Sequence, residues 1–364
     1  MKKNLIGLSK EEIGEILYSL GVEKKHLRMR VSQIFHSIYY RGVRNLNEIT
    51  TISKNLRLGL DKKFNLERPS IVKSLSSIDG TQKWLISLQD KKEIETVFIP
   101  EKKRGSLCVS SQVGCTLNCS FCHTGTMKLV RNLNASEILQ QVMISKDDLN
   151  DWLAADGERR LTNIIFMGMG EPLYNYLEVS KTIKILTDPE GINFSKRKIT
   201  LSTAGIVPSI KKVGKELGVG LAISLHAVND EVRDKLVPIN KKYPIRELID
   251  SIKEYSDHVS SRKVTFEYVM LRGVNDSNAD ARELCRLISG IPAKINLIPF
   301  NPWPSSLYEC SDDKRIREFS QIIHNSGYYS PVRTPRGRDI MAACGQLISD
   351  SKKDRKSQPT GINL

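Results

Sequence analysis

Short apolar runs rich in β-branched residues alternate with amphipathic stretches along most of this chain. The runs occupy 107–110, 163–167, 199–202, 219–225, 264–271 and 295–299. Between them lie segments with helical periodicity, such as 138–152, 245–255 and 316–323. Strands that alternate with helices predict an α/β fold with a parallel sheet, and six β/α units fit this part of the chain. Ligand-binding residues should then follow the strands, because parallel sheets gather their sites at the C-terminal strand ends.

The regions before and after the β/α units have different patterns. Ser9 and Glu12 form a capping-box pattern ahead of a helix that ends near Gly21, and apolar stripes at 31–38 and 49–56 predict two more helices. Strand-like runs at 81–88 and 93–99 flank a polar turn, as in a β-hairpin. We therefore expect a small helical domain (1–75), a β-hairpin extension (76–100), the β/α region (101–347) and a disordered polar tail (348–364).

Composition narrows the class of protein. Of 364 residues, 40% are hydrophobic and 27% are charged, and no apolar run approaches the ~20 residues that a bilayer requires. We expect no membrane association and a cytoplasmic location, since charged residues follow the basic N-terminus where a signal peptide would be apolar.

The net charge is +15, and residues 1–75 carry 15 basic and 7 acidic side chains. This excess indicates a nucleic-acid partner, although a well-solvated basic surface would look the same.

Three of the seven cysteines, Cys115, Cys119 and Cys122, follow the first β run closely. Three neighbouring thiolates suit soft-metal chemistry, above all an iron–sulfur cluster. A structural zinc ion would need a fourth ligand, and His123 adjoins Cys122 too closely to complete a tetrahedron easily. Three thiolates on a four-iron cluster leave one iron free to bind a substrate or cofactor.

The C-x3-C-x2-C spacing, with Phe121 before the third cysteine, resembles the radical S-adenosylmethionine (SAM) superfamily. Longer strings resemble one family in it, the RlmN RNA methyltransferases, which are similar in fold to the Cfr resistance methyltransferases. The resemblance extends from the basic N-terminal region to about Leu347. The strings are GCTLNCSFCHTGT (114–126), FMGMGEP (166–172), SLHA (224–227), PFNP (299–302) and RGRDIMAACGQ (336–346).

The resemblance implies a partial (β/α)6 radical SAM barrel with a [4Fe-4S] cluster on Cys115, Cys119 and Cys122. It also implies that two SAM molecules are used per turnover. The positions that match the family's SAM contacts lie near the ends of predicted strands. They are Gly170, Glu171, Ser202, Ser224, Leu225, His226 and Asn301.

C2 of adenine is electron-poor and cannot displace a methyl group from a sulfonium, so a radical route is needed. By the resemblance, Cys344 accepts a methyl group from one SAM, and a deoxyadenosyl radical from a second SAM activates that methyl group for addition to the base. Cys108 then resolves the adduct through a transient disulfide, and Glu95 removes the C2 proton. Buried free thiols are the plain alternative for both cysteines, and Glu93 competes with Glu95. We expect Cys285 to be a core residue and assign no role to Cys310.

The implied substrates are an adenine in the peptidyl-transferase region of 23S rRNA and the tRNA adenine beside the anticodon. A flavodoxin or ferredoxin would donate the electron, and we expect a monomer. Three alternatives remain: Cfr-like methylation at C8, an activase for a glycyl-radical protein, and a non-catalytic zinc RNA-binding module. The first is disfavoured by the strings at 171–172, 224–227 and 333–338, and the second has no use for Cys108 and Cys344.

Overall fold

The computed structural model describes residues 2–102, 104–152, 159–258, 263–349 and 351. Its strands are β1 (Lys3–Asn4), β2 (Phe64–Asn65), β3 (Ser70–Ser76), β4 (Gln82–Ser87), β5 (Glu93–Glu101), β6 (Arg104–Cys108), β7 (Gln112–Val113), β8 (Arg131–Asn132), β9 (Asn163–Phe166), β10 (Ile199–Thr203), β11 (Gly220–Ser224), β12 (Val264–Met270) and β13 (Ala293–Pro299). Its α-helices are α1 (Lys10–Ser19), α2 (Lys24–Tyr39), α3 (Lys54–Asp61), α4 (Ala135–Asp148), α5 (Tyr176–Thr187), α6 (Val207–Lys212), α7 (Asp230–Leu236), α8 (Ile245–His258), α9 (Asn278–Leu287) and α10 (Asp313–Asn325).

One nine-stranded sheet organises the molecule, in the order β13, β12, β11, β10, β9, β6, β5, β4, β3. The six strands from β13 to β6 are parallel to their neighbours. Strands β5, β4 and β3 extend the sheet in antiparallel fashion beyond β6. All seven residues of β12 are buried, as expected for a parallel strand covered on both faces. The predicted α/β fold with six parallel strands is confirmed.

The N-terminal helices form where the local sequence predicts them. Ser9 and Glu12 make the predicted capping box at the start of α1. The apolar stripe of α2 is buried at Val31, Ile34, Phe35 and Ile38. The third helix begins only at Lys54, because the hydroxyl of Ser53 caps it by accepting a bond from the Leu56 amide. The short parallel pair of β1 and β2 joins the two ends of this helical region.

Two boundaries differ from the sequence expectation. Residues Ser70–Ser76 form strand β3, although we assigned them almost entirely to the helical domain. Its sequence, SIVKSLS, has no regular apolar alternation that would reveal a strand. Six of its seven residues are exposed. Strand β6 begins at Arg104, three residues earlier than predicted, because Arg104 pairs with Glu101 at the tip of an antiparallel turn from β5.

The prediction of a disordered tail over 348–364 concerns residues that mostly lie outside the described part of the chain. Its described beginning is bonded to the hairpin. The Ile348 amide donates to Glu95 Oε2 at 3.0 Å, and the Ser351 hydroxyl accepts a bond from the Glu93 amide at 2.6 Å. Among the described residues, no helix is both long enough and apolar enough to cross a membrane.

Candidate active site

The three clustered cysteines lie in the loop between β7 and β8, just beyond the C-terminal end of β6. The loop is tightly folded: the Cys122 amide donates to the Cys119 carbonyl at 3.1 Å, and a Cβ on Gly125 would lie 2.5 Å from that carbonyl oxygen. Cys115 is buried, and Cys119 and Cys122 are half-buried. All three line one cavity of about 170 Å³.

Burial raises the pKa of each of these thiols, and that of Cys115 rises to about 12. Repulsion from Cys122 raises the pKa values of Cys115 and Cys119 further. Three thiolates there need a cation to stabilise them, and the iron ions of a cluster supply that charge. Among the described residues, no three His, Cys, Asp or Glu side chains are close enough to share one metal ion. The three thiols line one cavity, and their soft-ligand chemistry fits an iron–sulfur cluster.

The buried guanidinium of Arg233 holds the ends of two strands beside the cysteine loop. Arg233 is fully buried and donates to the carbonyls of Ala204, Ser224 and Leu225, which follow or end β10 and β11. Its charge also lowers the pKa of Cys119 against the effect of burial. Sequence analysis missed this residue, because an arginine on an exposed-looking amphipathic helix carries no signal of burial.

The ends of the parallel strands bring most of the predicted SAM-contacting residues to the same cavity. These are Gly170, Glu171, Ser202, Ser224, His226 and Asn301. Leu225 is the exception: it is fully buried and does not line the cavity, and its amide donates to the carbonyls of Ile223 and Glu267. Its side chain packs in the core.

Gly170 and Glu171 are fixed by their backbone surroundings. Gly170 has φ +96°, and a Cβ there would lie 2.4 Å from the Cβ of Gln112, so a residue without a side chain is required. The Glu171 carboxylate accepts bonds from the amides of Leu173 (2.9 Å) and Ala204 (2.8 Å). Burial nevertheless raises its pKa to about 7. This carboxylate orders the strand ends while its residue faces the cavity.

His226 is neutral at this cavity. Burial lowers its pKa to about 3, and its Nδ1 accepts a bond from the Val269 amide at 3.1 Å. The Nε2–H therefore remains as a donor. The ring packs edge-on against Phe121, the residue before the third clustered cysteine, with centroids 4.8 Å apart. His226 thus presents a hydrogen-bond donor and not a metal-binding nitrogen.

Cys344 is an exposed residue that also lines the cavity. It belongs to the C-terminal segment, by which we mean residues 337–349 and 351. Its carbonyl accepts a bond from Asn301 Nδ2 at 3.2 Å, and the next carbonyl, of Gly345, accepts one from the His123 amide at 2.7 Å. Burial raises the pKa of Cys122, and repulsion from Cys344 adds a smaller increase. The segment therefore lies directly beside the clustered cysteines.

Cys108 is the last residue of β6. Burial raises the pKa of the Cys108 thiol to about 12, and repulsion from Cys344 is the next cause. Arg333 lies near both thiols: its pKa is raised first by Cys344 and, more weakly, by Glu267 and Cys108. The two thiols, 236 positions apart in the sequence, are thus near enough for electrostatic coupling.

Glu95 lies on β5 at the contact between the hairpin and the C-terminal segment. It is 5% exposed, and burial raises its pKa against the opposing effect of Lys83. Its carboxylate accepts the Ile348 amide, whereas Glu93 contacts this segment through its backbone and Ser351. Of the two glutamates, Glu95 is therefore the one whose carboxylate contacts the C-terminal segment. Neither Glu95 nor Cys108 lines the 170 Å³ cavity.

Two polar residues near the site were not anticipated. Glu267 lines the cavity and is 2% exposed; its Oε1 accepts a bond from Asn296, and its Oε2 has no hydrogen-bond partner. Lys83, on β4, is paired with Glu95. Each is a charged residue within a strand that is otherwise mostly apolar, and that signal was available in the sequence.

Comparisons with known proteins identify the family and the fold. A family model described as the radical SAM superfamily matches residues 109–285. A "Dual-specificity RNA methyltransferase RlmN" of Bradyrhizobium sp. (strain ORS 278) is 56% identical over 361 residues, covering 97% of this chain and 90% of that protein. One from Chelativorans sp. (strain BNC1) is 54% identical, covering 98% and 91%. The crystal structure of a radical SAM methyltransferase from Sphaerobacter thermophilus matches with a TM-score of 0.87 at 43% identity, covering 95% of this chain and 99% of that one.

Proposed function

The chain belongs to the RlmN family of dual-specificity RNA methyltransferases, and from that premise we propose that it methylates C2 of adenine in 23S rRNA and in tRNA. The rRNA target is an adenine of the peptidyl-transferase region, and the tRNA target is the adenine beside the anticodon. The observation that carries the proposal is that Cys344 lines the same cavity as Cys115, Cys119 and Cys122.

The cavity binds SAM beside the cluster held by Cys115, Cys119 and Cys122. When bound, the cluster supplies the electron that cleaves SAM to a deoxyadenosyl radical. Gly170 lets the ligand approach the backbone closely, and the neutral His226 donates a hydrogen bond from Nε2. The remaining polar contacts come from Ser202, Ser224 and Asn301.

Cys344 carries the methyl group. Its thiolate attacks the methyl carbon of a first SAM, forming a thioether and releasing the neutral sulfide product. The methyl group then loses a hydrogen atom to the radical made from a second SAM, and the resulting carbon radical bonds to C2 of the adenine. An exposed cysteine at the edge of the SAM cavity supports this role, because it can meet both SAM and an RNA base.

Glu95 and Cys108 release the product. The Glu95 carboxylate takes the C2 proton, and the Cys108 thiolate attacks the Cys344 sulfur. That attack breaks the bond between sulfur and the transferred carbon, which takes up a proton to become the methyl group. The unpaired electron left by radical addition passes to an oxidised flavodoxin- or ferredoxin-type carrier. A Cys108–Cys344 disulfide remains, and a cellular thiol reductant reopens it. The electrostatic coupling between the two thiols supports the assignment of Cys108.

The helical region at the N-terminus binds RNA phosphates in this proposal. It carries 15 of the 56 basic residues and a net charge of +8 over residues 1–75, so binding should weaken steeply with salt. We further propose that the enzyme is a cytoplasmic monomer reduced by a flavodoxin or ferredoxin, since its thiols and its RNA substrates require a reducing, RNA-containing compartment.

The experiment is methylation of unmodified 23S rRNA and tRNA by anaerobically reconstituted protein, followed by nucleoside mass spectrometry. The proposal requires 2-methyladenosine in both RNAs. Formation of 8-methyladenosine would instead support Cfr-like chemistry, and a protein that carries one zinc and no iron or sulfide would contradict radical SAM chemistry altogether.

A further inference from the structure

A buried ion pair lies where the hairpin meets the C-terminal segment. The ammonium of Lys83, on β4, is 2.8 Å from Oε1 of Glu95, on β5, and each side chain is only 7% exposed. Lys83 is paired with Val97 and Glu95 with Leu85 in the antiparallel register, so the two charged residues are diagonal neighbours on one face.

The same two side chains hold the segment that carries Cys344. Lys83 Nζ donates to the Met341 carbonyl at 3.0 Å, three residues before Cys344. The Ile348 amide, four residues after Cys344, donates to Glu95 Oε2 at 3.0 Å. The ion pair therefore fastens the segment on both sides of the methyl-carrying cysteine.

Burying an ion pair is costly, and apolar residues of similar size would often stabilise a fold as well. A charged pair has a chemical advantage here, because a general base must be ionised before it can accept a proton. Burial alone favours the neutral form of Glu95, and Lys83 is the largest influence in the opposite direction. Lys73, on β3, acts in the same sense more weakly, and His123 is a further titratable group under the influence of Lys83.

Building on the proposed function, we propose that Lys83 is a positioning residue for product release, keeping Glu95 negatively charged and holding the segment that carries Cys344. In that step the C2–H bond breaks, its electron pair stays with the base, and the proton passes to Glu95. The remaining hydrogen bond of Lys83 to Met341 holds the segment while Cys108 attacks.

The test compares Lys83→Met with Lys83→Arg, which keeps the charge, and with Lys91→Met, which removes an exposed positive charge from the turn of the same hairpin. Three quantities are measured on reconstituted protein: methylation of Cys344 by peptide mass spectrometry, the covalent protein–RNA adduct on denaturing gels, and methylated adenosine. The pH dependence of adduct release is followed from pH 6 to 9.

For Lys83→Met we expect Cys344 methylation within about threefold of wild type, accumulation of the adduct, and release slowed by roughly 10- to 100-fold. The pH at which release is half-maximal should rise, because Glu95 without its cation ionises only at higher pH. Lys83→Arg should restore most of the rate, and Lys91→Met should match wild type. Unchanged release and an unchanged pH profile in Lys83→Met would overturn the proposal.

A second readout does not depend on the loaded enzyme. The carboxylate of Glu95 can be titrated in ¹³C-glutamate-labelled protein without a cluster, with its signal assigned by Glu95→Gln. Lys83→Met should move the midpoint to higher pH, and an unmoved midpoint would refute the electrostatic role. If wild-type protein makes no methylated adenosine while this titration behaves as expected, the proposed function fails and the coupling of Lys83 to Glu95 stands.

Discussion

The cavity and the segment that carries Cys344 are built in opposite ways. The cavity is formed at the ends of adjacent parallel strands, where backbone pairing fixes each side chain. The segment has no strand of its own, and three of its residues, Gly337, Met341 and Gly345, have positive φ. Polar contacts hold it to the rest of the molecule, through residues that include Asp79, Lys83, Glu95, His123 and Asn301. Its Ala342 and Leu347 side chains also pack into the hydrophobic core.

This difference matches the tasks assigned to the two regions. SAM and a cluster need fixed contacts, which a sheet provides. In the proposed function, one cysteine meets SAM, an RNA base and Cys108 in turn, so its support must be able to rearrange. A segment without a strand of its own can do so at lower cost than a sheet. The contrast predicts that substitutions in the two regions will have separable effects.

The largest separation should come from a pair of cysteine substitutions. Cys122→Ala should lose the cluster and with it all SAM cleavage, since a cubane with two protein thiolates is poorly held. Cys344→Ala should keep the cluster and its absorbance but transfer no methyl group to RNA. Iron analysis and methyl transfer are measured on both variants. Methylated RNA from Cys344→Ala would remove the carrier role, and a full cluster in Cys122→Ala would remove the ligand role.

Two glycines with positive φ separate the regions by stability. Gly170→Ala adds steric overlap with Gln112 to backbone strain and should cost about 3–5 kcal/mol of unfolding free energy. Gly345→Ala has its nearest contact at 4.0 Å, from the Phe121 carbonyl, and should cost only about 1 kcal/mol. Denaturant unfolding of both variants gives the comparison. Equal losses would mean that the segment is packed as tightly as the cavity.

Sequence reasoning was strongest where structure is local. The alternation of apolar runs predicted six parallel strands, and the motif strings predicted most of the residues that line the cavity. It failed where distant side chains decide the outcome. Nothing near Lys83 in the sequence indicates that its ammonium reaches Met341, and the exposed strand β3 has no pattern because β4 alone determines its conformation.

A smaller contrast concerns the reactivity of the two thiols with proposed catalytic roles, in cluster-free protein. Cys344 is exposed, whereas burial raises the pKa of Cys108 to about 12. Iodoacetamide at pH 8 should therefore alkylate Cys344 at least about tenfold faster than Cys108. Peptide mass spectrometry over time gives both rates. Faster labelling of Cys108 would mean that the segment shields Cys344 instead of presenting it.

The smallest effect is expected at one anchor of the segment. Asp79 accepts bonds from the amides of Gly337 and Thr81, and these bonds hold its pKa at about 2 against the effect of burial. Asp79→Asn should loosen the segment and speed alkylation of Cys344 by about two- to fivefold. Asp61→Asn, at an exposed pair with Lys2, is the control.

The lowered pKa of Asp79 determines how its contribution to stability depends on pH. A carboxylate with a lowered pKa stabilises the fold above its ordinary value of 3.8 and loses that contribution as the pH falls toward 2. The ratio of Cys344 alkylation rates between Asp79→Asn and wild type should therefore be constant from pH 6 to 9. A ratio that varies across this range would mean that another group controls the segment.

The most direct test of the account uses SAM with an isotopically labelled methyl group. Reconstituted protein is incubated with it in the absence of RNA, digested, and analysed by peptide mass spectrometry. The account predicts one labelled methyl group on the sulfur of Cys344 and none on the other six cysteines. The account is contradicted if Cys344 stays unlabelled in protein that turns over labelled SAM and that, in a parallel assay with RNA added, methylates the RNA.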